Sequence, residues 1–137
     1  MFLRKGAITV IAVVLIASAD GLDRGRAAPS RVPDPKRVQA ERDVLAFLQQ
    51  DRGRRWVLRH PGGRQLFPRL YDLRTHLLRK NTEVTCSRAR GRNRRGRYYC
   101  IVRPPRHRLH EGLHLRYVHY SQLGGYFRIT WLYYRPG

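Results

Sequence analysis

The feature that most constrains this chain is its pair of cysteines, each lying in a stretch where apolar and polar residues alternate. Alternation with a period of two is typical of a β-strand with one buried face. Val84 and Cys86 share a face of the first predicted strand, and Tyr98, Cys100 and Val102 share a face of the second. Because the chain has no other cysteine, the simplest interpretation is a Cys86–Cys100 disulfide that closes a hairpin.

The same alternation continues through residues 113–120 and 126–134, after a break at Pro104-Pro105. Four such strands predict an antiparallel sheet with one face on a core and the other turned outward. The residues expected on the outward face interleave basic and aromatic side chains: His114, Arg116, Tyr120, Tyr126, Arg128 and Tyr134.

The segment before the sheet carries helical signals. Asp34 is suited to cap a helix, Pro35 to occupy its first turn, and apolar residues follow at helical spacing. We therefore predict a helix from Pro35 to about Gln50, ended by Gly53.

Residues 55–60 are predicted to be extended, with a turn at 61–63 and a short return strand at 64–67. Pro68 is expected to open a second helix. The apolar stripe assigned to that helix is Leu66, Leu70, Leu73 and Leu77.

These patterns together predict the α+β class. One or two N-terminal helices would pack on a C-terminal antiparallel sheet of about four strands, with one disulfide. A chain of 137 residues suits one small domain, which we place at residues 35–137. Residues 20–34 are polar and proline-punctuated, and are expected to form a flexible leader.

Residues 1–19 have the three parts of a secretory signal peptide. Arg4 and Lys5 precede an apolar run, and Ala-Ser-Ala ends at Ala19. The run is shorter than the roughly 20 residues that a membrane-spanning helix needs. We expect a secreted or periplasmic protein; the alternative is a protein tethered to the membrane by an uncleaved leader.

The formal net charge is +20, carried almost wholly by arginine, since the chain has only three lysines. The planar guanidinium suits phosphate, sulfate and carboxylate groups. Six arginines and no acid lie at or beside the tip of the predicted hairpin: Arg88, Arg90, Arg92, Arg94, Arg95 and Arg97. The sequence therefore favours a non-catalytic binding module for an acidic surface, with Arg116, Arg128, Tyr120 and Tyr126 contributing from the sheet. Its partner would be a glycosaminoglycan, lipopolysaccharide, nucleic acid or acidic protein.

One short motif points to an enzyme instead. His110-Glu111-Gly112-Leu113-His114 matches the HExxH pattern of zinc metalloproteases, in which a helix presents two histidine ligands and Glu111 would act as general base. His119 is a candidate third ligand. On a strand, His110 and His114 would lie about 13 Å apart, too far to share one metal.

Two further interpretations stay open. The alternatives to a binding module are the zinc-dependent hydrolase and a structural subunit of a secreted or surface complex. A small ribonuclease could also be built from His114, His119, Glu111 and Arg116, although their order is not diagnostic of a nuclease. No cofactor is expected for the binding module.

Overall fold

The computed structural model describes residues 33–92, 95–121 and 124–137, and for Trp131 and Leu132 only the backbone. Three helices come first: α1 (Pro35–Gln49), α2 (Asp51–Leu58) and α3 (Pro61–Leu70). Four strands follow: β1 (Glu83–Arg88), β2 (Arg97–Arg103), β3 (Gly112–Tyr120) and β4 (Tyr126–Arg135). They form one antiparallel sheet in the order β1-β2-β3-β4, which confirms the predicted α+β class.

Helix α1 begins as the sequence predicts. The Asp34 side chain accepts a hydrogen bond from the backbone N–H of Lys36 at 3.1 Å, and Pro35 occupies the first turn. Residues four apart, Ala40, Val44 and Leu48, form its buried stripe. The helix ends where Gln50 becomes extended, so Gly53 does not end it.

Gly53 instead lies inside α2 and lets that helix approach the end of α1. A Cβ atom at this position would lie 1.9 Å from the carbonyl oxygen of Phe47. Gly53 and Val57, four residues apart, form the buried face of α2. The predicted extended segment at 55–60 is therefore wrong, because its apolar residues belong to a helical stripe that starts upstream.

The predicted turn at 61–63 and strand at 64–67 are also wrong. Pro61 opens α3, where a missing N–H costs nothing, and the two glycines after it lie in the first turn. Pro68 lies within this helix rather than at its start, and α3 ends at Leu70. Leu73 and Leu77 lie beyond the helix and are 54% and 63% exposed, so the predicted apolar stripe breaks there.

The three helices pack on one face of the sheet, and the hydrophobic core lies between the helices and that face. Its fully buried members include Val44, Leu66, Val102, Leu113 and Leu115. The Tyr71 hydroxyl donates to the Leu48 carbonyl oxygen at 2.8 Å and ties the end of α3 to α1. No helix among the described residues is long and apolar enough to cross a membrane. The predicted signal peptide lies outside those residues.

A register shift between His114 and Leu115 changes which β4 residues face the core. Leu115 is opposite residue 131, whereas His114 is opposite Tyr133 and Leu113 is opposite Tyr134. Tyr134 therefore packs against the core, and its predicted place on the outward face is wrong. Tyr133 takes that place because the bulge inserts one residue into the ladder.

Candidate functional site

The predicted disulfide is present and closes the β1–β2 hairpin. Cys86 and Cys100 are directly opposite in the register, with their Cα atoms 4.1 Å apart, and both are buried. Strand pairing continues past them to Arg88 and Tyr98. The bond therefore anchors the base of the segment that carries the arginines.

Arg88 braces this hairpin against α1. Its Nε donates to the Asp34 carboxylate at 2.8 Å, and the Tyr98 hydroxyl donates to the same carboxylate at 3.2 Å. The hydrogen bond with Arg88 lowers the pKa of Asp34, and the same bond raises the pKa of Arg88. Arg88, predicted as a binding residue, is thus already engaged by the fold.

The other tip arginines are not neutralised in this way. Arg90, Arg92 and Arg95 are exposed, and Arg97 is partly buried. Within the described part of the chain, none of the four forms an ion pair with a carboxylate. Arg94, the sixth predicted tip arginine, lies outside the described residues.

A groove of about 660 Å³ runs between the base of this tip, the first turns of α1 and the end of β3. Lys36, Arg88, Arg90, Arg95 and His119 line it, and its described lining contains no carboxylate. No sequence pattern indicates this groove, because its walls come from segments more than 80 residues apart. The basic residue at position 36 gave no signal of its own.

The few acidic residues near the groove are used to hold α1 against the sheet. Glu41 accepts a hydrogen bond from the backbone N–H of Cys86 at 3.0 Å, and Asp43 accepts one from the Tyr117 hydroxyl. Asp34 binds Arg88, as described above. These internal contacts occupy the three carboxylates, and none of the three forms an ion pair with Arg90, Arg92 or Arg95 in the described part of the chain.

The second predicted set of binding residues lies on the open sheet face, which is the face of the sheet opposite the three described helices. Arg116 and Arg128 are exposed, and the rings of Tyr120 and Tyr126 stack with their centroids 4.7 Å apart. Tyr126 is 47% exposed. Basic and aromatic side chains do alternate on this face, as the strand pattern predicts.

His114 is a partial exception on the same face, because it is only 6% exposed. Its ring stacks on that of Tyr133, with centroids 4.5 Å apart, and its Nδ1 is hydrogen-bonded to the Tyr99 hydroxyl. Desolvation by burial, and then the positive charges of Arg135 and Arg103, lower the pKa of His114. The sequence pattern placed this residue on the correct face but gave no sign of its burial.

The HExxH motif does not form a helix. His110 lies in an exposed turn, and β3 begins two residues later. Glu111 is fully buried, forms an ion pair with Arg69, and accepts a hydrogen bond from the backbone N–H of Arg108 at 3.4 Å. This carboxylate is thereby held in a structural contact between α3 and the turn before β3.

The three candidate metal ligands do not all meet at one place: His110 and His114 line the same small hollow, but His119 does not line it. His114 lies on the open sheet face, whereas His119 lines the groove next to the tip. No group of three or more histidine, cysteine or acidic side chains suited to a metal ion occurs in residues 33–92, 95–121 and 124–137. The helical arrangement that the zinc hypothesis requires is not formed by these residues.

Comparison with known proteins adds no relative. No family model matches the chain, and no match is found among curated proteins or among solved structures.

Proposed function

We propose that this protein is an exported cationic binding module that engages an acidic polymer or an acidic protein surface. The contact surface would comprise the arginine tip of the β1–β2 hairpin, the adjoining groove and the basic aromatic sheet face. The observation that carries this proposal is the set of exposed tip arginines, Arg90, Arg92 and Arg95, which have no carboxylate partner in the described structure.

Electrostatics favours a multivalent anion as the ligand. Like charges held close together repel one another, and a covalently closed hairpin keeps them close despite that repulsion. A polyanion bound at this site would relieve the repulsion and release condensed counterions, so its binding should weaken steeply as salt rises. Arginine would add charge-assisted hydrogen bonds to phosphate, sulfate or carboxylate oxygens.

Export from the cytoplasm, which the sequence predicts, also favours an acidic polymer as the ligand. The N-terminal leader of the sequence resembles a secretory signal, and the Cys86–Cys100 bond suits an oxidising environment. Acidic polymers that such a protein would meet include glycosaminoglycans, lipopolysaccharide and extracellular nucleic acid. An acidic protein partner would use the same contacts, as would a larger complex in which this face is covered.

The test compares two triple variants that lose the same charge. Arg90, Arg92 and Arg95 become glutamine in the first, and Arg55, Arg59 and Arg64, which are exposed on α2, the residue after it and α3, become glutamine in the second. We expect the tip variant to bind heparin at least about tenfold more weakly, equivalent to about 1.4 kcal/mol. The helix variant should stay close to the wild-type protein.

The salt dependence gives a second readout. With a single-stranded nucleic acid as the polyanion, each lost phosphate contact lowers the slope of log K against log salt by about 0.7, so three contacts lower it by about 2. Equal losses of heparin affinity in the two variants would mean that overall charge, not the tip, determines binding. That result would overturn the proposal.

A further inference from the structure

A buried imidazole nitrogen lies on the open sheet face. The Nε2 atom of His114 is buried and makes no hydrogen bond in the described structure. Buried polar atoms in native proteins almost always have a partner, which can be a water molecule or a ligand. We therefore expect a water molecule or a polar ligand group to bind next to His114.

A small hollow of about 120 Å³ lies at this place. Arg103 from β2, Arg135 from β4 and His114 from β3 line it, together with His110 and Glu111 from the preceding turn. The hollow has room for about four water molecules, taking about 30 Å³ for each. A tetrahedral group of five heavy atoms is of similar size.

The charge balance of the hollow is positive. Arg103 has a hydrogen bond to Thr85 at 3.3 Å, and neither Arg103 nor Arg135 has a carboxylate within ion-pair distance in the described chain. Glu111 is the one acid in the described lining, and Arg69 already matches its charge. Both arginines thus line the hollow, and no described carboxylate forms an ion pair with either of them.

The hydrogen bonds around His114 can direct a proton into the hollow. The Tyr99 hydroxyl is within hydrogen-bond distance of both the His114 Nδ1 and the Tyr133 hydroxyl, the latter at 3.1 Å. If Tyr133 donates to Tyr99 and Tyr99 donates to Nδ1, the neutral imidazole carries its proton on Nε2. An anion in the hollow selects this tautomer, because Nε2 then becomes a donor to it.

We propose that this hollow binds one phosphate or sulfate monoester group, held by Arg103, Arg135 and the Nε2 proton of His114. Three converging donor groups match the three terminal oxygens of a monoester better than the two oxygens of a carboxylate. The Tyr133 ring stacks on the imidazole, with the two centroids 4.5 Å apart, and helps to fix the orientation of the imidazole. The site is separate from the arginine tip, so it stands whether or not the tip binds a polyanion.

The experiment follows the imidazole nitrogens of His114 by NMR in the full chain during titration with inorganic phosphate. We expect a saturable shift of Nε2, with a midpoint that rises at least about tenfold in the Arg103→Gln/Arg135→Gln variant. An Arg55→Gln/Arg59→Gln variant, which loses the same charge on the helical side, should keep the wild-type midpoint. The single Arg135→Gln change, at an exposed position, gives a second variant with little risk to folding.

Competing ligands then test the chemical class and separate its sources. A 5′-phosphorylated oligonucleotide that displaces phosphate, while its unphosphorylated twin does not, identifies a nucleic-acid end; displacement by a sulfated disaccharide identifies a saccharide. Acetate binding as tightly as phosphate would overturn the monoester assignment. A shift that does not saturate, or one unchanged in both hollow variants, would mean that Nε2 has only a water partner and would overturn the site itself.

Discussion

Removing the Cys86–Cys100 bond should destabilise the domain by an amount that depends on the length of the loop closed by the bond. The two residues are 14 positions apart, so the bond closes a loop of about 15 residues. In the chain-entropy model such a closure stabilises the folded state by about 3 kcal/mol relative to the open chain. For a domain of about 100 residues, each kcal/mol corresponds to about 4–8 °C, so the melting temperature should fall by about 12–24 °C.

The assay compares three samples of one protein. They are the oxidised wild type, the wild type under reducing conditions, and a Cys86→Ala/Cys100→Ala variant, each unfolded by urea and by heat. Alanine is chosen because both sulfurs are buried and a serine hydroxyl would need a new partner. The reduced and alanine forms should agree within about 1 kcal/mol, since both lose the same loop closure. A loss below about 1 kcal/mol in both would refute the reasoning that this core depends on its covalent link.

Two further predictions concern the helices and the open face. Gly53→Ala should destabilise the domain by about 1–3 kcal/mol or more, because its Cβ would lie 1.9 Å from the backbone oxygen of Phe47. The control in urea unfolding is Arg55→Ala, at an exposed position of the same helix. Equal stabilities of the two variants would show that α1 and α2 can separate freely. Burial, and then the nearby arginines, lower the pKa of His114 from 6.5, so the folded state disfavours the protonated imidazole. The neutral imidazole therefore contributes its full share of stability above about pH 6.5. This share declines as the pH falls from there through the lowered pKa. His114→Gln should remove this part of the pH dependence of the free energy of unfolding, and an unchanged pH profile would contradict the burial of the imidazole.

The sheet could be predicted well because its signals are local. Alternation with a period of two identified the shared face of Tyr98, Cys100 and Val102 in β2, and the two cysteines indicated its pairing with β1. Helix α1 was equally accessible, since its cap, first-turn proline and apolar stripe are adjacent in the chain. Each of these features depends on neighbouring residues, which a sequence displays directly.

The features that could not be predicted from the sequence depend on contacts between residues that are distant in the chain. Gly53 and Pro61 looked like breaks, yet one permits a close helix approach and the other begins a helix. The β-bulge at His114 exchanged the faces of Tyr133 and Tyr134, and no residue type in β4 announces it. The groove beside the tip likewise forms only when α1 docks on the sheet, so the candidate site was predicted in its charges but not in its shape.

Arginine-selective chemical modification, read by mass spectrometry with and without heparin, tests the central claim most directly. Bound heparin should protect Arg90, Arg92 and Arg95, which are exposed at the hairpin tip, and leave Arg55, Arg59 and Arg64 as reactive as in the free protein. Equal protection of both sets, or protection of the helical set alone, would contradict the account.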